Sequence, residues 1–190
     1  MDSLRAIPWE MHTKKRRERV MKKVTLFLMC ALLMVCVAGM ACAAQDLTGK
    51  TEVKGSLEWN NTGSSAVFGL GVELGKFMTP NWEPRIGLDF ANVSAGGENI
   101  TQWSITPSVS YNFTNVNTPG MLPYAGIGFS YVNTSAAGVN GGLGAVLYAG
   151  SRFFIGNSTD RAVFAEYRVI TKTGDIAESN GLSAGFLGLF

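Results

Sequence analysis

The sequence predicts an all-β fold in which eight antiparallel strands run up and down around a closed barrel. After residue 45 the chain breaks into eight segments, most of which alternate apolar with small or polar side chains. Several gaps between them are short and rich in turn-forming residues, as at 60–64, 79–81, 94–99 and 156–160. Segments of about ten residues match the roughly 9–11 that a tilted membrane-spanning strand needs, and exceed the usual globular length of about five or six. Length therefore favours a transmembrane β-barrel.

The first four segments carry clear period-two patterns, in which alternate side chains share one face of a strand. Their apolar faces are, in chain order, Val53, Gly55, Leu57 and Trp59; Ala66, Phe68, Leu70, Val72 and Leu74; Trp82, Pro84, Ile86, Leu88 and Phe90; and Trp103, Ile105, Pro107, Val109, Tyr111 and Phe113. Charged, small or hydroxyl side chains dominate the opposite faces. Pro107 predicts an edge or a bulge in the fourth segment, because proline cannot donate to a ladder.

The last four segments are less uniform. The fifth sets Ala125, Ile127, Phe129 and Tyr131 against Tyr124, Gly126, Gly128 and Ser130. The sixth, 142–155, is small or apolar on both faces, so its register stays open between Leu143, Ala145, Leu147 and Ala149 and the alternate set. The seventh places Val163, Ala165, Tyr167 and Val169 opposite Glu166 and Arg168. The eighth, 181–190, puts Leu182, Ala184, Phe186 and Gly188 on the face of the terminal Phe190.

The front of the chain has the pattern of an export signal. Lys22 and Lys23 precede the uncharged run 24–37, and small residues follow up to Ala44. We interpret 21–44 as a signal peptide cleaved after Ala43 or Ala44, 1–20 as a mis-called start or an extended basic region, and 45–190 as the barrel. A membrane anchor at 24–44 and lipidation of Cys42 are alternative interpretations.

Composition excludes several kinds of chemistry. All three cysteines and the only histidine, His12, lie before residue 45, so the mature chain has no thiol or imidazole for a metal, a disulfide or general-base catalysis. The sequence therefore predicts no cofactor and no enzyme, with a carboxylate-only mechanism that uses Glu73, Glu83, Asp89 or Glu166 as the open alternative. From Gln45 onward there are eight Lys and Arg against eleven Asp and Glu, so the net charge falls from +2 to about −3. The basic character belongs to the leader and does not indicate nucleic-acid binding.

The polar face of the segments fits the inside of a narrow barrel. It consists of Gly, Ser, Thr and a few charges of both signs, without the density of Lys and Glu that a solvated surface would have. Buried charges must be paired. We therefore predict a structural charge network in the lumen, formed by Glu52, Lys54, Glu73, Glu83, Arg85, Asp89, Arg152, Glu166 and Arg168. Two alternatives stay open: a periplasmic lipocalin-like carrier whose apolar face lines a ligand cavity, and a narrow channel.

The export signal, the eight amphipathic segments and the terminal Phe190 together resemble small eight-stranded bacterial outer-membrane β-barrels of the OmpA/OmpX type. The resemblance covers 45–190 and implies contact with outer-membrane lipid, a side-chain-filled lumen, and a role in envelope integrity or surface interaction. It also implies that the barrel assembly machinery recognises the C-terminal strand through Phe190. Both termini would face the periplasm. The outward connections near Asn61, Ala95, Ala136 and Ala177 are short, which argues against an adhesive role.

Overall fold

The described part of the chain forms a closed β-barrel. The computed structural model describes residues 46–62, 65–95, 98–115, 120–136, 138–156, 159–171, 174–175 and 178–190, so the predicted leader at 1–44 lies outside the described residues. The strands are β1 (Thr51–Thr62), β2 (Ser65–Lys76), β3 (Trp82–Ala95), β4 (Glu98–Asn112), β5 (Met121–Thr134), β6 (Gly142–Phe154), β7 (Arg161–Ile170) and β8 (Ser179–Leu189).

Each strand pairs antiparallel with its neighbours in chain order, and β8 pairs with β1 to close the barrel. The prediction of an eight-stranded up-and-down barrel is confirmed. We call the end where β1 begins and β8 ends the termini end, and the opposite end the loop end. A search of the described residues for a membrane-spanning helix found none.

Two of the predicted outer connections are tighter than the sequence suggested. Pairing of β1 with β2 continues to Thr62 and Ser65, and pairing of β3 with β4 continues to Ala95 and Glu98. Asn61 and Ala95 therefore lie in strands. The hydrogen-bonded strand pairing extends over residues that their turn propensity would place in loops. Ala136 does lie between strands, and position 177 is outside the described residues.

Pro107 produces neither an edge nor a bulge. The pairs Ile105 with Tyr131 and Ser108 with Gly128 flank it in the same register on β5, so no residue has been inserted. On the other side Pro107 pairs with Ile86 of β3. The missing N–H interrupts the ladder locally without shifting the strands.

The faces of the strands divide as the alternation predicts, with the apolar set pointing outward. Phe68, Leu70, Ile127 and Phe186 are 71%, 62%, 60% and 70% exposed on the outer surface. On β6, Leu143 and Leu147 face outward while Val146, Tyr148 and Arg152 are buried inside, which settles the register that the sequence left open. This arrangement is the opposite of a lipocalin-like barrel, whose large apolar side chains would point inward.

Glycines on the inner face make room for two tyrosine rings. Gly126 of β5 pairs with Tyr148 of β6, and Gly150 of β6 pairs with Tyr124 of β5. A Cβ at Gly126 would overlap the Tyr148 ring, and a Cβ at Gly150 would lie 2.8 Å from the Tyr124 hydroxyl oxygen. Each ring therefore lies across the glycine of the neighbouring strand.

We expect Gly126→Ala to lower the free energy of unfolding by about 1–3 kcal/mol, because the added methyl group overpacks the interior against Tyr148. Urea unfolding in detergent micelles, followed by tryptophan fluorescence, measures the change. Gly55→Ala is the matched control, since a Cβ there meets no atom within 4 Å. An equal decrease in the free energy of unfolding for both variants would show that overpacking against Tyr148 is not the cause of the effect.

Candidate functional site: the interior ion-pair network

All nine charged residues that the sequence assigned to the lumen lie on the inner faces of β1, β2, β3, β6 and β7. Glu52, Glu83 and Arg152 are almost completely buried, with exposed fractions of 1%, 0% and 0%. Four of the nine are cations and five are carboxylates, and the structure places them in contact with one another. The network is described below from the termini end to the loop end.

Arg152 of β6 joins three strands at the termini end of the network. Its Nε donates to Glu52 Oε2 at 2.5 Å, and its Nη2 donates to Glu83 Oε2 at 2.6 Å. Its Nη1 donates to Asn112 Oδ1 at 2.6 Å. Because all three nitrogens have acceptors, the cost of burying this guanidinium is offset by charge-assisted hydrogen bonds.

Arg85 of β3 and Lys54 of β1 occupy the middle of the lumen. Arg85 Nη2 lies 3.1 Å from Glu83 Oε2, and Arg85 Nη1 lies 3.1 Å from Glu73 Oε1. Lys54 Nζ lies 2.9 Å from Glu73 Oε1 and 3.3 Å from Glu166 Oε2. Glu73 therefore bridges two cations from different strands, and the middle of the lumen is crossed by ion pairs in several directions.

Arg168 of β7 is the cation nearest the loop end. Its Nη2 lies 3.0 Å from Glu166 Oε1 and 3.5 Å from Glu73 Oε2, and its Nη1 lies 3.2 Å from Asp89 Oδ2. Ser104 Oγ donates a further hydrogen bond to Asp89 at 2.8 Å. Arg168 thereby links β7 with β2 and β3.

Tyr124 of β5 lies among the cations. Its ring centroid is 4.4 Å from Arg152 Cζ, 4.5 Å from Arg85 Cζ and 4.8 Å from Lys54 Nζ. Its hydroxyl donates to Glu166 Oε2 at 2.9 Å. The negative face of an aromatic ring attracts cations, so Tyr124 reduces the repulsion among three positive groups.

The structure adds two residues to the nine predicted charges of the network, Tyr124 and Asn112, and a further charge of the polar face, Glu58, lies beside them. The signal that could have found them is their place on the polar face of an alternating segment. Asn112 and Tyr124 carry no formal charge and were therefore passed over. Glu58 is 7% exposed and accepts a hydrogen bond from Asn60 Nδ2 at 3.2 Å.

An apolar cluster closes the interior at the termini end. It contains Leu47, Phe77, Leu122, Ala162, Phe164, Leu187 and Leu189, with Phe154 packed against it. Leu47, from the segment before β1, is 1% exposed, and that segment is fixed by hydrogen bonds from Gly49 N to Phe77 O and from Phe77 N to Lys50 O. Neither Leu47 nor Phe77 belongs to an alternating segment, so the period-two pattern does not predict this cluster.

Two of the small cavities in the described part of the interior border the charge network. The first, of about 30 Å³, lies at the loop end and is lined by Glu58, Asn60, Asp89, Gln102, Ser104 and Arg168, among others. The second, of about 10 Å³, lies deeper, against Lys54, Glu73 and Glu166, and also touches Asp89 and Arg168. A single water needs about 10–15 Å³, so these spaces hold at most a few waters.

Residues 28–189, which include all eight strands, match the family described as "Outer membrane protein beta-barrel domain". The chain belongs to this outer-membrane barrel family. Its place is accordingly the bacterial outer membrane, and its outward apolar face contacts membrane lipid. Among curated proteins, no sequence matches the chain.

Solved structures of outer-membrane barrels share the fold at low identity. Neisserial surface protein A (NspA) is 16% identical with a TM-score of 0.56, over 74% of this chain and 96% of that one. The N-terminal β-barrel domain of Pseudomonas aeruginosa OprF is 16% identical with a TM-score of 0.52, over 77% and 100%. The attachment invasion locus protein Ail of Yersinia pestis is 12% identical with a TM-score of 0.51, over 75% and 99%. Ail has also been solved with the heparin analogue sucrose octasulfate.

Pairs of aromatic residues lie on the outer surface near both ends of the barrel. At the loop end Trp59 stacks on Phe68 with ring centroids 6.3 Å apart, and Trp103 packs on Tyr131 at 5.7 Å. At the termini end Trp82 packs edge-on against Tyr111 at 5.1 Å. Amphipathic rings favour the boundary between hydrocarbon and water, so these pairs fit the two interfacial girdles of a membrane barrel.

The termini end carries an exposed ion pair and the C-terminal residue. Lys50 Nζ lies 2.5 Å from Asp160 Oδ1, and this hydrogen bond holds the pKa of the Asp160 carboxyl below its usual value. Phe190 is 79% exposed, and its backbone bonds to Thr51 in both directions, at 2.9 and 3.0 Å. The terminal residue is thus joined to β1 while its ring stays free on the outer surface.

Metal-binding side chains are not clustered in groups of three or more anywhere in the part of the chain that the structure describes. This part contains neither histidine nor cysteine, and no group of three or more of its Asp and Glu residues is arranged to hold a metal ion. The carboxylates of the network are instead engaged by guanidinium, ammonium, amide and hydroxyl groups.

Proposed function

We propose that this protein is a non-enzymatic outer-membrane barrel with a side-chain-filled lumen that contributes to the integrity of the cell envelope. The observation that carries the proposal is the interior itself. Ion pairs between the four cations and their carboxylates cross the lumen and join the strands that carry these residues. An apolar cluster fills the termini end of the lumen. Such an interior stabilises a closed barrel and leaves little room for a solute.

Surface interaction is the less favoured form of the same proposal. Among the described residues at the loop end, Arg168 is the one Lys or Arg, and its charged group is turned into the barrel. Binding of a sulfated polyanion, as seen for Ail, requires exposed cations. Lys172, in the connection between β7 and β8, lies outside the described residues. The close pairing of β1 with β2 and of β3 with β4 up to their connections favours a role within the envelope.

The experiment that tests the proposal compares a deletion strain with its parent and with a complemented strain. We expect faster uptake of a hydrophobic dye and killing at lower detergent concentration after deletion, both restored by the wild-type gene. Purified protein in a planar bilayer should show no steady conductance. Unchanged permeability in the deletion strain, together with steady ion conductance in the bilayer, would instead support a narrow channel.

We further propose that residues 21–44 direct export and are removed, and that the assembly machinery recognises the terminal strand through Phe190. The free, outward Phe190 ring supports this role. Phe190→Ala, which keeps both backbone hydrogen bonds to Thr51, should lower the amount of folded, heat-modifiable barrel in the outer membrane while leaving refolding in detergent unchanged. Phe186→Ala, which changes another outward ring of β8, is the control. Equal membrane levels for both variants would exclude Phe190 as the signal.

A further inference from the structure

The cavity at the loop end of the interior is lined by side chains that carry oxygen atoms. Its volume is about 30 Å³, and its lining includes the carboxylates of Glu58 and Asp89 and the amides of Asn60 and Gln102. Ser179, the first residue of β8, also lines it, so the cavity reaches the rim of the barrel. Oxygen atoms are the ligands that calcium and magnesium ions prefer.

One oxygen of Glu58 and one of Asp89 approach the same point above Gly71 of β2. A Cβ at Gly71 would lie 2.9 Å from Glu58 Oε1 and 2.7 Å from Asp89 Oδ1, so the two oxygens are separated by at most the sum of these distances. Oxygens that bind one calcium ion lie about 2.3–2.6 Å from it, and therefore up to about 5 Å from each other. The geometry allows both carboxylates to bind one ion.

Glu58 is a buried carboxylate without a cationic partner. It is 7% exposed, and among the described residues no Lys or Arg nitrogen lies within 4.0 Å of its carboxylate. Asn60 Nδ2 donates to Glu58 Oε2 at 3.2 Å, whereas Oε1, the oxygen near Gly71, accepts no hydrogen bond from a described residue. Because burying an uncompensated carboxylate is costly, Glu58 Oε1 needs a positively charged partner that the described chain does not supply.

The carboxylate of Asp89 uses one oxygen for contacts within the protein. Arg168 Nη1 lies 3.2 Å from Asp89 Oδ2, and Ser104 Oγ donates to the same oxygen at 2.8 Å. Neither contact involves Oδ1, which lies near Gly71 together with Glu58 Oε1. Asp89 can therefore bind an ion through Oδ1 while it keeps its contacts with Arg168 and Ser104.

The charges of the interior do not balance. The guanidinium of Arg168, which also lines the cavity, lies against Asp89, Glu166 and Glu73 at 3.2, 3.0 and 3.5 Å. With Glu58 included, the described interior holds six carboxylates against four cations, Lys54, Arg85, Arg152 and Arg168. The difference is two negative charges, which equals the charge of one divalent cation.

We propose that a calcium ion binds in this cavity, with Glu58 Oε1 and Asp89 Oδ1 as its charged ligands. The amide oxygens of Asn60 and Gln102 are neutral ligands in the same cavity, and water completes the coordination. Calcium fits better than magnesium, because magnesium keeps several of its waters and the cavity has room for at most a few. With two carboxylates and neutral oxygens, the site differs from the nitrogen and sulfur sites that bind transition metals.

Bound calcium joins β1 to β3 across β2 and neutralises the excess charge of the interior. A ligand that binds only the folded state stabilises it, so calcium raises the unfolding temperature of the barrel.

Isothermal titration of calcium chloride into the folded protein, first stripped with a chelator and held in an uncharged detergent, tests the site. The wild type should bind one calcium ion per barrel, and magnesium chloride should bind more weakly. Glu58→Gln and Asp89→Asn should each lower the affinity for calcium by about tenfold or more, because each removes a charged ligand. Glu178→Gln, which removes an exposed carboxylate next to β8, is the control and should bind calcium as the wild type does.

Thermal unfolding of the same proteins gives a second readout. Calcium should raise the unfolding temperature of the wild type and of Glu178→Gln but not that of Glu58→Gln. In the chelator alone Glu58→Gln should unfold at no lower temperature than the wild type, because it lacks the uncompensated charge.

A wild type that shows no saturable binding of calcium would overturn the proposal. Unchanged calcium affinity in both Glu58→Gln and Asp89→Asn, each shown to be folded by its heat-dependent gel mobility, would do the same. Equal affinity for magnesium would overturn the assignment to calcium.

Discussion

Arg152→Met is expected to lower the free energy of unfolding by about 3–5 kcal/mol, because it leaves Glu52 and Glu83 buried without the cation that holds both. Asn112 also loses the donor to its Oδ1. Methionine fills much of the same volume, so the decrease in the free energy of unfolding arises mainly from the uncompensated carboxylates. Urea unfolding in phospholipid vesicles, followed by tryptophan fluorescence, measures it.

Two variants separate the charge effect from a general effect of losing an arginine. Arg161→Met removes an exposed arginine at the start of β7 and should change stability by no more than about 0.5 kcal/mol. Adding Glu52→Gln and Glu83→Gln to Arg152→Met should recover much of the loss, since neutral amides do not need the missing cation. Equal effects of Arg152→Met and Arg161→Met would contradict the interior network as described.

Leu147→Arg is expected to cost about 2–4 kcal/mol, because it places a charge on the lipid-facing surface near the middle of β6. Leu147 is 57% exposed on that surface and pairs with Ile127 and Val169 on the neighbouring strands. The cost arises only if hydrocarbon surrounds this surface. Unfolding in phospholipid vesicles is the measurement.

Leu143→Arg is the matched control on the same face of the same strand. Leu143 is 64% exposed and lies one residue from the start of β6, near the membrane interface. The same substitution should cost about 0–1 kcal/mol there. A barrel whose outer face met water would tolerate both arginines about equally, so an absence of depth dependence would contradict the membrane orientation.

Alternation predicted which residues enter the lumen but could not predict which of them touch. Glu52 and Arg152 are separated by 100 residues and meet only because β8 closes on β1 and brings distant strands to opposite sides of one narrow interior. The contacts also depend on strand stagger, which a single sequence does not encode in its periodicity. The sequence therefore predicts which charged residues face the lumen, but it does not predict which of them form ion pairs with each other.

The register of β6 shows where pattern reasoning fails. Its residues are small or apolar on both faces, so hydrophobicity does not distinguish inside from outside. The structure settles the register through cross-strand packing, with Tyr148 lying over Gly126 and Gly150 leaving space for Tyr124. Leu47 and Phe77 were missed for a related reason, because residues outside a strand carry no period-two signal.

Refolding with and without a membrane mimetic tests the central claim most directly. The chain from Gln45 to Phe190 is diluted from denaturant into plain buffer and into detergent micelles, and each sample is examined by far-UV circular dichroism and by gel mobility before and after boiling. We predict a β-spectrum and a heat-dependent mobility shift only with detergent, because the outer face is apolar and the lumen is filled with ion pairs. A stable β-fold in plain buffer would contradict the assignment of the apolar face to lipid.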